Sequence, residues 1–323
     1  MIETYAPAKW PSLVDLLDAY PYKPYTGYAR WPEAGLQKLY RTRVKSIVED
    51  PSGFTWLAME GGALNGLISL TPLKWDSERL GMSAARLANF ICLDEGQQAQ
   101  RVGARLLAKA LDCCLERGYR YVVIRQDAGD LDAVQALESS GFITLDGILT
   151  FVMRVDESAG ESPPKNVSIR IANDSDCEAA AAIARVAFVY DRFHADLVIS
   201  RKKADELHAV WLGNTCRGLA ADAVLVAVDQ GGVLGFITCK LHTDTHHHLG
   251  TLIGSIILVA TAPDARQRGI GRALTFAALD WFRDQAVDFV EVGTQIRNIP
   301  ASRLYENCGF RLIGSSISLR KII

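Results

Sequence analysis

Residues Thr251 to Phe282 read TLIGSIILVATAPDARQRGIGRALTFAALDWF, and the fold turns on how that run is parsed. Leu252 to Thr261 carries no charge and is rich in Ile and Val, the composition of a buried strand. After Arg272 the apolar residues Ala273, Leu274, Ala277, Ala278, Trp281 and Phe282 fall at helical spacing. Between the two lie Pro263 and the run Arg266-Gln267-Arg268-Gly269-Ile270-Gly271. Strand, glycine turn and helix together make an anion-binding geometry. The first backbone N–H groups of a helix have no internal partners and carry partial positive charge, and glycine lets a phosphate come close to them. Arg266, Arg268 and Arg272 add charge around that point. A dinucleotide-binding turn would need a third glycine at position 274, where Leu stands, and a P-loop would need G-K-[ST], which this turn lacks. The six-residue pattern alone also fits a plain strand-to-helix connection.

A second stretch, Phe289 to Phe310 (FVEVGTQIRNIPASRLYENCGF), continues the pattern. Phe289 to Gln295 reads as a strand, Asn298 and Pro300 start a helix, and Gly309 ends it where a positive φ is usual. R-x-x-G-x-G after an apolar strand, followed by N-x-x-A-x-x-L-Y-E-x-x-G-F, resembles the paired motifs of the GNAT superfamily of N-acetyltransferases. The resemblance implies an α/β (α+β) fold with a mixed, mostly antiparallel central sheet flanked by helices. It implies acetyl-CoA as cosubstrate, its pyrophosphate held by Arg266, Gln267, Arg268, Gly269, Ile270, Gly271 and Arg272. It further implies that the strand carrying Val259 and Thr261 splays from its neighbour and offers backbone N–H groups to the thioester and the pantetheine arm. Asn298 is assigned to the cofactor side, and Tyr305 to the neighbourhood of the CoA sulfur.

The length of 323 residues suits two domains, and 49% hydrophobic residues suffice for two cores. A net charge of −2 argues against a general nucleic-acid or membrane-surface partner. Seven cysteines without a C-x-x-C support neither a disulfide framework nor a zinc site. Met1 to Tyr20 lacks a basic start followed by an apolar core, and no run of about 20 apolar residues occurs, so a cytoplasmic protein is expected.

Along the chain, residues 1 to 52 read as helices and turns. Thr55 to Leu73 reads as a hairpin, Ala85 to Leu93 as a strand, Gln97 to Glu116 as a long helix, Arg120 to Arg125 as a strand and Asp130 to Ser140 as a helix. Phe142 to Val155 reads as a hairpin turning at Asp146-Gly147. Residues 157–166 combine charge, Ser, Gly and a Pro pair, an exposed linker. The same order of elements then restarts. At a constant offset of 168 residues Gly141-Phe142 matches Gly309-Phe310, Leu111-Asp112 matches Leu279-Asp280 and Gly103 matches Gly271, so the chain is a tandem duplication. Residues 1–156 form a degenerate N-terminal GNAT-like domain and residues 167–323 the catalytic one. In the first copy Arg101 stands opposite Gly269, Asp130 opposite Asn298 and Leu137 opposite Tyr305. A side chain at 101 fills the space a phosphate needs and Leu137 has no proton to give, which makes the first copy silent. The alternative, that Arg101 offers its guanidinium to the phosphate, has the missing tyrosine against it.

Acetyl transfer from a thioester to an amine through a tetrahedral intermediate needs a neutral amine, support for the oxyanion and a proton for the departing thiolate. Tyr305, protonated at neutral pH with a reference pKa near 10, suits general-acid work on a thiolate of pKa about 8.5. It could equally be a core tyrosine on an amphipathic helix. No acidic residue lies on the central strand, so ordered water, Glu291 or His194 are left as proton acceptors, the last two read first as structural or substrate-facing. His246-His247-His248 on an exposed hairpin cannot all face one ion, and no metal is assigned.

Substrate choice is expected in Phe188 to Arg217. That region resembles the dTDP-fucosamine acetyltransferases through Arg192-Phe193, W-x-x-N-x-x-R-G (Trp211, Asn214, Arg217, Gly218) and V-x-T-Q-x-x-N (Val292, Thr294, Gln295, Asn298). The resemblance implies a small-molecule amine on a nucleotide-linked sugar, with Arg192, His194, Trp211, Arg217 and Glu291 as substrate residues. The alternatives are another small amine or amino acid, or a non-catalytic acetyl-CoA sensor or scaffold. Pairing of whole chains into a homodimer stays open.

Overall fold

A computed structural model describes residues 1–28, 31–157 and 162–323, so residues 158–161 of the expected linker lie outside the described residues. The first copy runs β1 (Ile2–Thr4), α1 (Trp10–Ala19), α2 (Glu33–Val48), β2 (Phe54–Glu60), β3 (Ala63–Pro72) and α3 (Lys74–Leu80). It continues with β4 (Ala84–Cys92), α4 (Gly96–Arg117), β5 (Tyr121–Asp127), α5 (Leu131–Ser139) and β6 (Ile143–Arg154). The second copy runs β7 (Ser168–Ile171), α6 (Asp174–Ala187), α7 (Arg192–Ala195), α8 (Arg201–Cys216), β8 (Ala223–Asp229) and β9 (Gly232–His242). It ends with α9 (Thr243–Leu249), β10 (Ile253–Thr261), α10 (Ile270–Asp284), β11 (Phe289–Gln295), α11 (Ile299–Asn307) and β12 (Arg311–Ile322).

The chain folds as two units, Met1–Gly147 with Ser315–Ile323, and Ile148–Gly314. In the first, strand order is β1-β2-β3-β4-β5-β12; in the second it is β6-β11-β10-β9-β8-β7. Among the described pairings within each unit, β4 with β5 and β10 with β11 run parallel and the others antiparallel. These are two tandem GNAT-like sheets of mixed, mostly antiparallel character. They do not divide at residues 157–166 as a simple 1–156 and 167–323 split would have it. The last strand of each copy belongs to the other unit: Ile148 to Arg154 of β6 pair with β11, and Ser316 to Ile322 of β12 pair with β5.

Alternation along the strands builds a core on each face. In the second unit Leu225, Ile237, Ile256, Val290 and Val292 pack with Leu274 and Phe282 of α10, while Val226, Phe236, Leu258 and Ala260 pack with Ile183 and Leu212 of α6 and α8. The first unit repeats this with α4 and α5 on one face and α1 and α2 on the other.

Two local expectations are overturned and a third holds. Asp146-Gly147 is not a hairpin turn; it lies inside one 12-residue strand, because the following residues from Ile148 are held extended by β11 and bury Phe151 and Met153. Thr243–Leu249 is helix α9, not hairpin: Thr245 Oγ donates to the His242 carbonyl at 2.7 Å and Gly250 closes the helix at φ 66°. The segment 98–103 is helical, in keeping with the helix expected from Gln97 to Glu116: α4 begins at Gly96 and buries Ala99 and Val102.

Candidate active site

At the C-terminal end of β10 the chain makes a short turn at Pro263–Ala265, anchored by fully buried Ala265, and then runs out through exposed Arg266, Gln267, Arg268 and Gly269. Gln267 and Gly269 both take left-handed conformations, φ 60° and 78°. Gly269 is the residue before α10, and no side chain caps that helix. The outward loop and the first amides of α10 therefore form an open anion cradle. A Cβ on Gly271 would come 3.4 Å from Leu304 Cδ2, so that glycine also serves the packing of α10 on α11. Arg268 lies 3.4 Å from Asp229. Arg272 turns away from the loop: its guanidinium lies over the Phe276 ring and donates to the Asn307 carbonyl at 2.6 Å, which ties α10 to α11.

Beside the cradle, β10 and β11 part. Their parallel pairing ends at Ile256↔Val292, although both strands continue, and β10 carries one extra residue against β9 between Ile256 and Val259. Thr238 accepts the Leu258 amide at 2.9 Å in that bulge. Val259 and Thr261 thus lie on the parted section, as the resemblance implies.

The first unit shows the same split, since β4 and β5 pair only from Ala84 to Arg86, but there it is filled. Gln126 of β5 reaches across to donate to the Phe90 carbonyl of β4 at 3.3 Å and to Asp130 at 2.7 Å. Tyr20 closes the cluster by donating to Asp130 at 2.6 Å. With the loop turned into helix and the split bridged by its own side chains, the first copy keeps the architecture and differs at both features.

Tyr305 sits on α11, buried, with its ring 5.9 Å from both Phe151 and Phe310. Burial pushes its hydroxyl pKa well up, so the proton stays on at neutral pH. Asn298 caps α11, accepting the Ala301 amide at 3.3 Å, and Asp130 caps α5 the same way in the first copy. Its visible duty is to hold the helix that carries Tyr305.

The expected substrate residues separate into groups. Arg192 stacks over Phe193 and His194 is held between two carboxylates on α7 and α8. Trp211 packs at the edge of the α6–α8 core. Arg217 donates to Asn214 at the far end of α8, 12 positions beyond Asp205 and so about 18 Å away along the axis. Arg297 was not expected as a site residue, yet it donates to the Tyr190 carbonyl at 3.3 Å and brings the segment before α7 to the end of β11. Val189 next to Tyr190, Ile296 next to Arg297 and Ile299 at the start of α11 are exposed apolar residues.

Glu291 has partners no local pattern announces. It lies opposite Ser255 in the register, one pair before the strands part. Ser255 Oγ donates to Glu291 Oε1 at 2.6 Å and stands 2.6 Å from His242 Nε2, giving a chain from histidine through serine to carboxylate. Sequence reasoning missed Ser255 and His242.

No helix among the described residues is long and apolar enough to cross a membrane. A family model described as the acetyltransferase (GNAT) family matches residues 10–142 and 187–310. A mycothiol acetyltransferase of Pseudarthrobacter chlorophenolicus is 40% identical over 87 residues, 27% of this chain and 26% of that protein. The Bacillus subtilis spore coat polysaccharide biosynthesis protein SpsD is 25% identical over 287 residues, 88% of this chain and 93% of that one. The dTDP-fucosamine acetyltransferase of Escherichia coli is 23% identical over 247 residues, 75% of this chain and 92% of its own length. A solved tandem GNAT protein from the clavulanic acid biosynthesis pathway superposes with a TM-score of 0.59 at 13% identity, covering 100% of this chain and 98% of that one.

Proposed function

The chain belongs to the GNAT acetyltransferase family, and we propose that its second unit alone moves the acetyl group of acetyl-CoA to the primary amine of a nucleotide-linked amino-sugar. The observation that carries this reading is the contrast between copies. An exposed, doubly left-handed loop leads into an uncapped helix beside an open strand split in the second unit, and both features are filled in the first.

In this reading the Arg266 to Gly271 loop and the first amides of α10 bind the pyrophosphate, and the parted edge of β10 near Val259 and Thr261 steadies the thioester oxygen. Arg272, tied to Asn307, positions α10 against α11 and adds positive charge only at a distance. Tyr305 supplies the proton to the sulfur as the tetrahedral intermediate collapses. Glu291, which accepts from Ser255 and stands close to His242, draws the proton from the incoming ammonium, directly or through water. The amine is thereby neutral when it attacks.

Breadth of similarity supports the sugar nucleotide. SpsD and the fucosamine enzyme align over nearly their whole lengths, whereas the mycothiol enzymes align over 26% to 60% of theirs. In this reading Arg192 and Arg297, the latter donating to the Tyr190 carbonyl, are the cations assigned to the diphosphate. The higher identity of the mycothiol match favours a second reading, another small amine. The test is a panel of amines with acetyl-CoA, read by thiol release, with dTDP-linked 4-amino-sugars included. Turnover of the sugar nucleotides above all other amines is expected; turnover confined to amines without a nucleotide would overturn the assignment.

A further inference from the structure

We propose that Asp191, His194 and His208 form a binding site for one zinc-like divalent metal ion, clasping α7 to α8. The inference is independent of the acetyl-transfer reading. One ligand atom from each of the three lies within 4.8 Å of the others, with Asp191 and His208 buried and His194 partly so. Asp191 Oδ2 stands 2.5 Å from His194 Nδ1 and 3.7 Å from His208 Nε2. A tetrahedral site with bonds of about 2.0–2.1 Å sets its ligand atoms about 3.3 Å apart, so the first separation opens and the second closes, each by less than about 1 Å.

What singles out this cluster is that every atom not facing the centre already has an outer partner. Asp191 Oδ1 accepts the Phe193 and His194 amides at 2.8 and 3.2 Å, leaving Oδ2 pointed inward. His194 Nε2 faces Asp205 at 2.9 Å, which fixes the N–H there and makes Nδ1 the ligating nitrogen. His208 Nδ1 donates to the Ala204 carbonyl at 3.2 Å, which leaves the Nε2 lone pair aimed at the centre. A carboxylate or carbonyl behind each ligating histidine is the arrangement that orients metal-bound imidazoles. Charge agrees: a divalent ion with Asp191, Asp205 and two neutral imidazoles sums to zero in a buried place. Two histidines and one carboxylate leave a fourth position for water, and the donor set suits zinc better than magnesium or calcium. The histidine run His246-His247-His248, where a metal was considered from sequence and dismissed, lies elsewhere on α9.

The experiment uses the full chain, stripped with a chelator and titrated with Zn²⁺ by calorimetry, in a background carrying His246→Ala, His247→Ala and His248→Ala to remove surface binding. One zinc per chain is expected. Asp205→Asn leaves all three ligands in place and weakens affinity about 10–100-fold, the cost typical of losing an outer partner. His208→Ala abolishes binding, and the visible spectrum of the Co²⁺-substituted chain reports His/Asp tetrahedral ligation even if that variant folds poorly. Zinc binding that vanishes in the triple-alanine background overturns the proposal. So does binding unchanged by Asp205→Asn and His208→Ala, or a chain that takes up no zinc.

Discussion

At the scale of residues, the proposed division of labour between Tyr305 and Glu291 is separable by kinetics. Burial makes Tyr305 a reluctant acid, so its proton must move in step with cleavage of the carbon–sulfur bond, when the sulfur becomes basic beside it. Tyr305→Phe keeps the ring that packs on Phe151 and Phe310. Acetyl-CoA affinity, measured by calorimetry, should change little while kcat falls by about 10²–10⁴. Full activity in that variant would reduce Tyr305 to a packing residue. Glu291→Gln removes the acceptor of the amine's proton, so the loss should be greatest at low pH and shrink as rising pH supplies neutral amine from solution. A loss independent of pH would point to binding instead. Tyr305 was legible because its neighbours in sequence spell a motif. Ser255, Glu291 and His242 were not, because their association comes from strand register across separations of 13 and 36 residues and leaves no local signature.

At the scale of elements, one pair of helices tells how a site is lost. The loop before α10 exists because Gly269 tolerates φ 78°; at the equivalent place Arg101 sits within α4, and the helix has grown backward to Gly96. Gly269→Arg should therefore abolish acetyl-CoA binding while leaving the circular dichroism spectrum of the chain native, because the position is exposed and only Pro164 lies near it, at 3.6 Å. Retained affinity would sink the cradle assignment. The opposite holds at Gly254, where a Cβ would come 2.5 Å from the Phe282 ring. Gly254→Ala should cost about 1–3 kcal/mol in a denaturant melt with little change in cofactor affinity per folded molecule. Strand–turn–helix was readable from periodicity and glycines. So was the helical state of 98–103, within the run from Gln97 to Glu116 whose Ala99, Val102, Gly103 and Leu106 bury against the sheet. α9 was misread because its helix is short and fixed by Thr245, which also accepts the Ile253 amide at 3.0 Å, a bond visible only once β10 is in place.

At the scale of the whole molecule, the duplication could be read from the constant offset, but the exchange of last strands could not. Strand propensity says that 148–154 and 315–322 are extended and is silent on which sheet takes them, because a strand's pairing partner leaves no sign in its own residues. The exchange has a consequence for fragments. Residues 167–323, the catalytic domain as sequence alone delimits it, lack Phe151, Met153 and Val155, each under a tenth exposed in the second unit's core, and leave β11 without the antiparallel partner that spans Phe289 to Gln295. They also carry Ser316 to Ile322 without the β5 strand these residues pair with. Each lost core side chain removes about 1.5–3 kcal/mol of burial, and three together rival the 5–15 kcal/mol stability of an ordinary domain before the exposed strand edge is considered. Residues 148–314 keep β6 with its core side chains, leave out the unpaired residues after Gly314 and end where the compact unit ends. The 167–323 fragment should be aggregated or unfolded by size-exclusion and circular dichroism, and the 148–314 fragment monomeric, cooperatively melting and able to bind acetyl-CoA. A stable 167–323 fragment with a melting temperature equal to that of 148–314 would show that β6 contributes nothing the second unit needs.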